Sequence, residues 1–381
     1  MLGGYGATGR ALVSLLLRET QAHLVVAGRN AARARDMASE LNARAGTDRV
    51  AGVGADAADP ASLRNALAGA HLVVVATSSA AHAGTVARTA LEMGLDYLDL
   101  QYSPRKLPVL RALADEIEAA GRCFITDAGF HPGLPAVLVR GAAARFDWLE
   151  RAIVASVINP RGGIPYTESV NELVESFRTY RALVYRDGAW QQLRSWNPYR
   201  RIRFGAGFGV RACVPLPLEE MLAIPQMFRG LRETGFYIAG FNWFADWIVS
   251  PVVMAGVWLF PRRAVRPMGR LLCWATRVAS SPPHGVVLQV RAEGLLDGRP
   301  GSAEMVLFHE DGYVFTAAPV VGCLLQMMDG TARRPGLHLM GHVVDPARLM
   351  TDLRRMGVRI EESTRRAPAT SEGTEMRAPQ C

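Results

Sequence analysis

The chain has 381 residues, of which 49% are hydrophobic and 20% are charged, so it can hold two folded domains and is too apolar to be disordered throughout. Its formal net charge is +8, but Lys106 is the only lysine and the arginines are scattered, which speaks against a nucleic-acid interface and favours an acidic or phosphorylated small ligand. The five cysteines lie far apart without CxxC spacing, which predicts a reduced cytoplasmic protein with neither a disulfide framework nor a metal site.

The first motif along the chain is a glycine-rich turn, "GGYGATG", which runs directly into an apolar helical segment. Its GxGxxG spacing through Gly4, Gly6 and Gly9 is typical of turns that bring the backbone close to a pyrophosphate at a helix N-terminus. A glycine turn with a purely structural role is the alternative. Because a strand–helix series follows, we predict a dinucleotide site that includes Gly4, Tyr5, Gly6, Ala7, Thr8 and Gly9.

The segment before this turn is short. Only Met1 and Leu2 precede the glycines, whereas a strand usually needs about five residues. We therefore expect either a shortened first strand or, as the favoured interpretation, a true start upstream of Met1.

Apolar, β-branched runs alternate with helical segments through the first third of the chain. The runs are "HLVVAGRN", "RVAGVGAD", "HLVVVATSS", "DYLDLQY" and "CFITDAGF". Continuous apolar runs of this length are typical of buried strands in a parallel sheet. One intervening helix begins with Asp59 as N-cap and Pro60 at its first position, and a later one begins in the same way at Ser103 and Pro104. This alternation predicts a doubly wound α/β domain of the Rossmann type.

The end of the first run bears on the choice of cofactor. An NAD site places Asp or Glu about 20 residues after the glycines, where the carboxylate holds the ribose 2′-hydroxyl. This chain has Arg29 and Asn30 there instead, and a guanidinium can bind a 2′-phosphate through two hydrogen bonds. NADP is therefore the predicted cofactor and NAD the alternative. If Arg29 has no part in cofactor binding, it is a solvent-exposed arginine at the start of a helix.

Three stretches of this region, "GADAADPASLRNALAGAHLVVVATSS", "YLDLQY" and "GFHPGLP", resemble the saccharopine dehydrogenase (saccharopine reductase) family. The residues that carry the resemblance are Asp56, Ala76, Thr77, Tyr102, Gly129, Pro132 and Gly133. It implies a nicotinamide-binding domain, whose cofactor contacts include Asp56, Ala76, Thr77 and Ser78, followed by a substrate domain. Family members carry Asp in the Gly-x-Asp-Pro-Gly turn, whereas this chain has His131, which leaves the substrate open.

His131 and Tyr102 are the candidates for catalysis. His131 lies where the last strand of the unit should pass into a helix, and ligands of doubly wound sheets bind at such carboxyl ends. A pKa near neutrality would suit a proton donor to the reduced atom, the alternative being a histidine that only hydrogen-bonds the turn. Tyr102 follows a strand end and is predicted to line the pocket, but its YxxxK spacing to Lys106 is interpreted as accidental because Pro104 starts the helix between them. Asp127 is interpreted as a buried carboxylate that orients its neighbours.

The pattern changes after about residue 149. The stretches "RAIVASVINP", "YRALVYRDGAWQQLR" and "HGVVLQVRAEGLLDGRPGSAEMVLFHEDGYVFTAA" are predicted to be strands joined by hairpins, with turns at Asp297-Gly298 and Asp311-Gly312. A mixed or antiparallel α+β substrate domain is therefore expected. Near the end, a helix is predicted to begin after Asp345 as its N-cap.

Residues 241–260 form the most apolar stretch, about as long as a membrane span. Asp246 and Pro251 interrupt it and arginines follow it, so we predict a buried or membrane-surface helical hairpin rather than a span. Peripheral membrane contact would suit a lipid-like substrate, and a core or dimer-interface helix is the alternative.

These observations together predict four segments. They are a Rossmann domain over 1–145, a mixed substrate and dimerisation domain over 146–334, a segment over 335–362 that packs back on the first domain, and a disordered tail over 363–381. The predicted function is an NADP-dependent oxidoreductase that transfers hydride to or from a C=N bond, or a C=C or C=O bond, of a small or lipid-like substrate. A non-catalytic NADP sensor or a membrane-associated binding protein is the alternative. We expect a cytoplasmic location and leave open both contact with a membrane surface and a homodimer.

Overall fold

The structure is a computed structural model and describes residues 1–77, 80–101, 103, 105–193, 199–261 and 263–366. The strands, in chain order, are β1 (Leu24–Gly28), β2 (Val50–Gly54), β3 (Leu72–Val75), β4 (Asp96–Asp99), β5 (Cys123–Thr126), β6 (Trp148–Asn159), β7 (Leu183–Arg186), β8 (Ala189–Gln192), β9 (Arg200–Phe204), β10 (Gly209–Pro215), β11 (Glu233–Ala239), β12 (Gly285–Leu296), β13 (Arg299–His309), β14 (Gly336–Leu339) and β15 (Arg359–Arg366). The helices are α1 (Ala7–Glu19), α2 (Ala31–Ala45), α3 (Pro60–Leu67), α4 (Ala83–Glu92), α5 (Lys106–Arg111), α6 (Ala114–Ala119), α7 (Leu134–Ala143), α8 (Glu168–Ser176), α9 (Glu219–Leu222), α10 (Ile224–Met227), α11 (Ser250–Leu259), α12 (Val265–Val278), α13 (Gly312–Met328), α14 (Met340–Val343) and α15 (Pro346–Arg355).

The first sheet is parallel and is built around Leu2. On one side lies the pair β1–β2, and on the other lie β3, β4, β5 and β14 in that order. Leu2 bridges Ala27 and Val75, donates its amide to the carbonyl of Val74 at 2.9 Å and accepts from the amide of Ala76 at 2.8 Å. Leu2 therefore holds the place of the central strand, and the glycine turn after it lies where the strand order reverses. The strands predicted from the apolar runs are confirmed, and so is the doubly wound parallel sheet.

The second sheet is mixed and mostly antiparallel. Its order is β15-β13-β12-β6-β11-β10-β9, and β7 pairs with both β11 and β8. Strands β6 and β11 are parallel, whereas β12 pairs antiparallel with both β6 and β13. The predicted turn at Asp297-Gly298 joins β12 to β13, and both residues have positive φ, as a two-residue hairpin of this kind requires. The mixed sheet expected after about residue 149 is thus present.

One hydrophobic core joins the two sheets. It combines side chains of α1, α7 and α13 with strand residues from both sheets, among them Leu12, Leu16, Leu98, Ile125, Val137, Leu288, Val290 and Phe315. Helix α13 packs against α1, and α7 packs against β6 and β12. The helix that follows the glycine turn is therefore held in place by elements from both halves of the chain.

The predicted hairpin turn at Asp311-Gly312 is wrong, because Asp311 is the N-cap of α13. Its Oδ1 accepts hydrogen bonds from the amides of Tyr313 at 2.7 Å and Val314 at 3.2 Å. An Asp-Gly pair suits either a hairpin turn or the start of a helix. The apolar run that follows continues for 17 residues, which is longer than an ordinary strand and favours the helix.

Two other boundaries differ from the predicted ones. The helix predicted to begin at Ser103 consists of α5 and α6, and Lys106 is the first residue of α5. The C-terminal segment is shared between the sheets, because β14 pairs with β5 whereas β15 pairs with β13. Strand β15 extends to Arg366, so residues 363–366 of the predicted tail lie in the second sheet. Residues 367–381 lie outside the described part of the chain.

The apolar stretch 241–260 forms the first half of a helical hairpin, and α12 forms the second half. It contains a π-helical turn, Ala245–Val249, followed by α11, and α12 returns beside them. The inner faces of these helices pack on α8 around a separate small core that includes Val170, Val253 and Leu272. Across the described ranges, no helix combines the length and the apolar character needed to cross a membrane.

Candidate functional site

The glycine turn is a close-packed corner that has no space for side chains at several positions. Gly3 has φ +75°, and a Cβ there would lie 2.8 Å from the Cβ of Thr77. A Cβ on Gly9 would lie 2.4 Å from the carbonyl oxygen of Gly4, so only glycine lets α1 approach the turn this closely. On the other side, a Cβ on Gly6 would meet only the carbonyl oxygen of Gly3, at 3.3 Å.

The N-terminus of α1 is exposed beside this corner. Gly6 is the N-cap and supplies no side chain to the first turn, which also contains no acidic residue. Gly6 and Ala7 are exposed and Thr8 is half-buried, and the first amides of a helix have no partner within the helix. Such amides, together with the positive end of the helix dipole, bind phosphate oxygens. The predicted residues from Gly4 to Gly9 therefore form a cradle that fits the diphosphate of a dinucleotide.

Tyr5 connects the cradle to the end of β1. Its ring lies across Gly28, where a Cβ would be 2.4 Å from Cε1 of the ring. The Tyr5 hydroxyl accepts a hydrogen bond of 3.4 Å from the amide of Asn30, and the Arg33 guanidinium carbon lies 5.1 Å from the ring centre. The geometry thus brings the predicted residues Tyr5, Arg29 and Asn30 into one corner.

Two guanidinium groups lie at the start of α2, where a ribose 2′-phosphate is expected. Arg29 is exposed and makes no hydrogen bond or ion pair with other described residues. Asn30 is the N-cap of α2, and its Oδ1 accepts a hydrogen bond of 3.0 Å from the amide of Arg33. Its side-chain oxygen is therefore engaged in capping the helix. Arg33 was not predicted from the sequence, although a residue in the first turn after an N-cap lies close to the end of the preceding strand.

The remaining predicted cofactor residues divide into two groups. Ala76 and Thr77 lie against Gly3, directly beside the cradle. Asp56 is exposed after β2, but its Oδ1 accepts from the amide of Ala58 at 3.0 Å, so its carboxylate stabilises its own turn. Ser78 and Tyr102 lie outside the described residues.

A buried ionic cluster lies at the carboxyl ends of β4 and β5. Nζ of Lys106 is 2.5 Å from Oδ1 of Asp99 and 2.7 Å from Oδ1 of Asp127, and it also donates to the carbonyl of Gln101. The second oxygen of Asp99 accepts from the Thr126 hydroxyl at 2.8 Å. Lys106 and Asp99 are fully buried, whereas Asp127 retains some exposure. Asp127 is therefore the member of the cluster that can exchange a proton with its surroundings.

The charges of this cluster leave one carboxylate in excess. Burial lowers the pKa of Lys106, but the charges of Asp99 and Asp127 more than offset it, so the pKa is raised and the ammonium stays charged. Burial also raises the pKa of Asp127, more than the charge of Lys106 lowers it. Asp127 further has φ +55°, an uncommon backbone conformation for a residue other than glycine. These features make Asp127 the carboxyl group of the cluster whose pKa is raised by burial, while the orienting role predicted for it stays a prediction.

His131 is flanked by aromatic rings. The ring centres of Phe130 and Phe236 lie 4.0 and 5.4 Å from that of His131, and Phe236 belongs to the second sheet. Its Nε2 is fully buried and has no hydrogen-bond partner among the described residues. Burial lowers the pKa of His131 to about 4, below the near-neutral value expected from the sequence. The imidazole is therefore neutral at pH 7 and is not the acidic form that a proton donor requires.

Glu220, which was not among the residues predicted from the sequence, fixes the turn that carries His131. Its Oε1 accepts from the amide of Gly133 at 2.7 Å, and its buried Oε2 has no partner in the described part of the chain. Burial raises the pKa of Glu220 to about 8, and the charge of Asp127 adds to that shift. No local sequence signal could have found this contact, because 87 residues separate the two groups.

Comparisons with known proteins agree with this architecture. Residues 1–125 match the family model described as saccharopine dehydrogenase NADP binding domain. The structure of apo saccharopine dehydrogenase (L-Glu forming) from Saccharomyces cerevisiae is similar, with a TM-score of 0.69 and 16% identity over 95% of this chain and 98% of that one. No curated protein matches the chain.

Two other solved structures resemble the chain more weakly. DAP dehydrogenase from C. glutamicum, in complex with DAP, gives a TM-score of 0.47 and 14% identity over 93% of this chain and 97% of that one. An engineered D-amino acid dehydrogenase bound to NADP+ gives 0.45 and 14% over the same shares. Scores this low carry no argument about the present chain.

The family match and the shared fold confirm several expectations. Over residues 1–125 the resemblance to the saccharopine dehydrogenase family is confirmed, and with it the NADP-binding domain. The fold class is confirmed by the likeness to the yeast enzyme. The predicted class of protein, an NADP-dependent oxidoreductase, is supported by the match to the NADP-binding domain.

Proposed function

We propose that the chain transfers hydride between NADP and a C=C or C=O bond of a substrate with an apolar, lipid-like body. The observation that carries the proposal is the aromatic environment of His131, between Phe130 and Phe236, at the carboxyl end of β5. Phe130 and Phe236 belong to the shared core, so the surroundings of His131 are apolar and suit an acyl chain or ring system better than a charged group. They do not suit the free carboxylates of an amino-acid substrate, which need guanidinium or ammonium partners.

The chain's own residues have distinct tasks in this proposal. NADP, when bound, accepts or supplies the hydride. The exposed amides at the start of α1 bind its diphosphate, and Arg29 and Arg33 bind its 2′-phosphate. Tyr5 packs between these two regions and keeps the end of β1 aligned with the cradle.

A proton must accompany hydride addition to a carbonyl or a conjugated alkene, because the oxygen or the second carbon would otherwise remain negatively charged. Asp127 holds that proton, since burial raises its pKa and its carboxylate keeps some exposure. Lys106 holds Asp127 in position through a 2.7 Å contact. The neutral His131 packs beside the substrate and supplies a hydrogen-bonding nitrogen rather than the proton.

Reduction of a C=N bond is the second candidate. It is supported by the fold shared with saccharopine dehydrogenase and by the match of residues 1–125 to that family's NADP-binding domain. Against it stand the apolar surroundings of His131 and the absence of the family's Asp in the turn, where this chain has His131.

A substrate panel separates the two candidates. NADPH oxidation is followed with three sets of substrates: enoyl lipids, long-chain ketones or aldehydes, and amine/keto-acid pairs. Turnover with the enoyl or carbonyl lipids is expected, with none from the amine/keto-acid pairs. Turnover confined to the amine/keto-acid pairs would overturn the proposal in favour of C=N chemistry. Tight NADPH binding in calorimetry, without turnover across the whole panel, would favour the sensor alternative.

Pairing of two copies and contact with a membrane surface also belong to the proposal. Analytical ultracentrifugation of the full chain tests the dimer, for which a sedimenting species of twice the chain mass is expected. The membrane contact rests on residues outside the catalytic cleft and is argued separately below.

A further inference from the structure

The hairpin of the π-helical turn, α11 and α12 presents an unusual concentration of exposed apolar side chains. Its exposed members are Trp243, Trp247, Ile248, Val252, Met254, Trp258, Leu259, Phe260, Trp274 and Val278. Trp258 is 76% exposed and Trp243 is 67% exposed, so these large rings lie almost entirely in solvent. Contiguous apolar surfaces of this kind mark interaction sites. We refer to the set as the tryptophan face.

Helix α11 is apolar on both of its sides. Val253 and Val257 face the small core shared with α8, whereas Val252, Met254 and Trp258 face outward. No charged residue occurs between Trp247 and Phe260. A helix of an isolated globular protein carries polar residues on its solvent side. The outer side of α11 therefore favours contact with an apolar environment over contact with water.

The tryptophans extend the face across both helices. Four of the chain's seven tryptophans are here, namely Trp243, Trp247, Trp258 and Trp274. Trp243 and Trp274 both contact Phe244, with ring centres 5.8 and 5.7 Å away, so the turn and α12 share one continuous aromatic surface. Tryptophan is enriched at the level of lipid headgroups, where an apolar ring and an N–H donor are both accommodated.

The charged side chains on α12 and just before it are all positive. Arg263, Arg266, Arg270 and Arg277 are exposed on or just before α12, and that helix contains no acidic residue. None of these four arginines has an ion-pair partner within the described ranges. A row of unneutralised guanidinium groups next to exposed tryptophans complements a surface of anionic phosphates.

Two copies of the chain would be poor partners for each other at this face. In a two-fold dimer the same surface occurs on both sides of the interface, so the arginines of α12 would be brought close to those of the second copy. Like charges across an interface are unfavourable. The hairpin also cannot act as a membrane span, since none of the described helices is long and apolar enough.

We propose that the hairpin docks the protein on an anionic lipid bilayer, with the tryptophan face among the headgroups and the arginines of α12 on lipid phosphates. Amphipathic helices that bind in this way lie in the plane of the interface. The inference does not depend on the proposed reaction, because none of these residues lies in the cofactor cradle or the ionic cluster. Its failure would leave the catalytic proposal unchanged.

Vesicle co-sedimentation of the full chain tests the inference. The chain is mixed with vesicles of phosphatidylcholine and phosphatidylserine in equal parts, or with vesicles of phosphatidylcholine alone. Pelleting with the anionic vesicles is expected, together with weaker binding to the neutral ones and a loss of binding at high salt. Failure to pellet with either kind of vesicle, by a sample that still binds NADPH, would overturn the inference.

Matched variants locate the binding surface. Trp258→Ser should weaken binding strongly, whereas Trp148→Ser, an exposed tryptophan on β6, should leave it unchanged. Arg266→Glu should reduce binding at least about fivefold, since each basic residue near an anionic surface is worth about 1 kcal/mol. Arg299→Glu is its control. Arg299 begins β13, at the end of the β12–β13 hairpin that is remote from α12.

The second-copy interpretation has its own signature. If the tryptophan face were a dimer interface, Trp258→Ser would convert a dimer to a monomer in sedimentation velocity and leave the vesicle pellet unchanged. That pair of results would overturn the lipid assignment.

Discussion

Nζ of Lys106 lies 2.7 Å from Oδ1 of Asp127, and this contact holds the chain's only ammonium side chain at the carboxyl ends of β4 and β5. Asp99 binds the same nitrogen from the other side. Two carboxyl groups thus share one buried cation. Each member depends on the others, because a buried charge without its partner is costly.

Replacing Lys106 should destabilise the protein more than replacing an exposed cation of the same helix. Lys106→Met leaves two carboxylates buried without their cation, which should lower the free energy of unfolding by about 3–5 kcal/mol at neutral pH. The loss should shrink at acidic pH, where the carboxylates are protonated. Arg111→Met, which removes an exposed ion pair to Glu219, should cost less than about 1 kcal/mol. Denaturant unfolding of both variants provides the measurement, and equal losses would contradict the cluster's structural role.

Asp127→Asn should lower kcat while leaving the protein folded and able to bind NADPH. The amide keeps an oxygen for Lys106 but cannot hold the proton, so a decrease of about 10²–10⁴ is expected. The wild-type rate of reduction should fall as pH rises through the raised pKa of Asp127, because the acid form is needed, and the variant should lack this limb. The exposed Asp297→Asn is the matched control and should behave as the wild type. An unchanged kcat in Asp127→Asn would direct the search for the donor back to His131.

Arg29→Ala and Arg33→Ala should each weaken NADPH binding far more than NADH binding. A hydrogen bond to a charged group contributes about 1.5–3 kcal/mol, which corresponds to an increase in the NADPH Kd of about 10- to 100-fold. The NADH Kd should remain nearly constant, since that cofactor lacks the 2′-phosphate. Arg35→Ala, an exposed position on the same helix, serves as the control in calorimetry. Equal weakening for both cofactors would refute the assignment of the 2′-phosphate site.

Glu220→Gln should flatten the dependence of stability on pH. The carboxyl has an ordinary pKa of 4.5 and a folded value of about 8, so the folded state binds the proton more tightly. Its stabilising effect is complete below pH 4.5 and is lost as pH rises to about 8, at about 1.4 kcal/mol for each pH unit. The wild type should therefore lose stability relative to Glu220→Gln across this window. Unfolding curves collected at pH values within it test the prediction, and a constant difference would show that Glu220 does not titrate there.

The sequence predicted the first sheet well because its signals are local. Strands β1, β3 and β5 are continuous apolar runs, and Asp59 caps α3 through a 2.9 Å bond to the amide of Ala61, as its position before a proline indicated. Gly9 is required by a contact inside the turn, with the carbonyl of Gly4, whereas Gly3 and Gly4 are required by the distant residues Thr77 and Val26. Periodicity and capping are sufficient where the determinants lie within one element.

The site depended on contacts that no local pattern encodes. Lys106 meets Asp127 across 21 residues, and Glu220 reaches Gly133 across 87. The YxxxK spacing drew attention to Lys106, but its actual partners lie at the ends of two strands rather than on its own helix. The pKa of His131 is lower than expected for a related reason. The burial that lowers it is produced partly by Phe236, which lies in the second sheet and far along the chain.

The single core shared by α1, α7 and α13 has a consequence for how reactants come together. Two domains with separate cores can open by a hinge motion. Here such a motion would separate Leu16 from Phe315, which pack in the same core. The two sheets are accordingly held in one relative orientation, and binding of the coenzyme should proceed without a hinge motion between them.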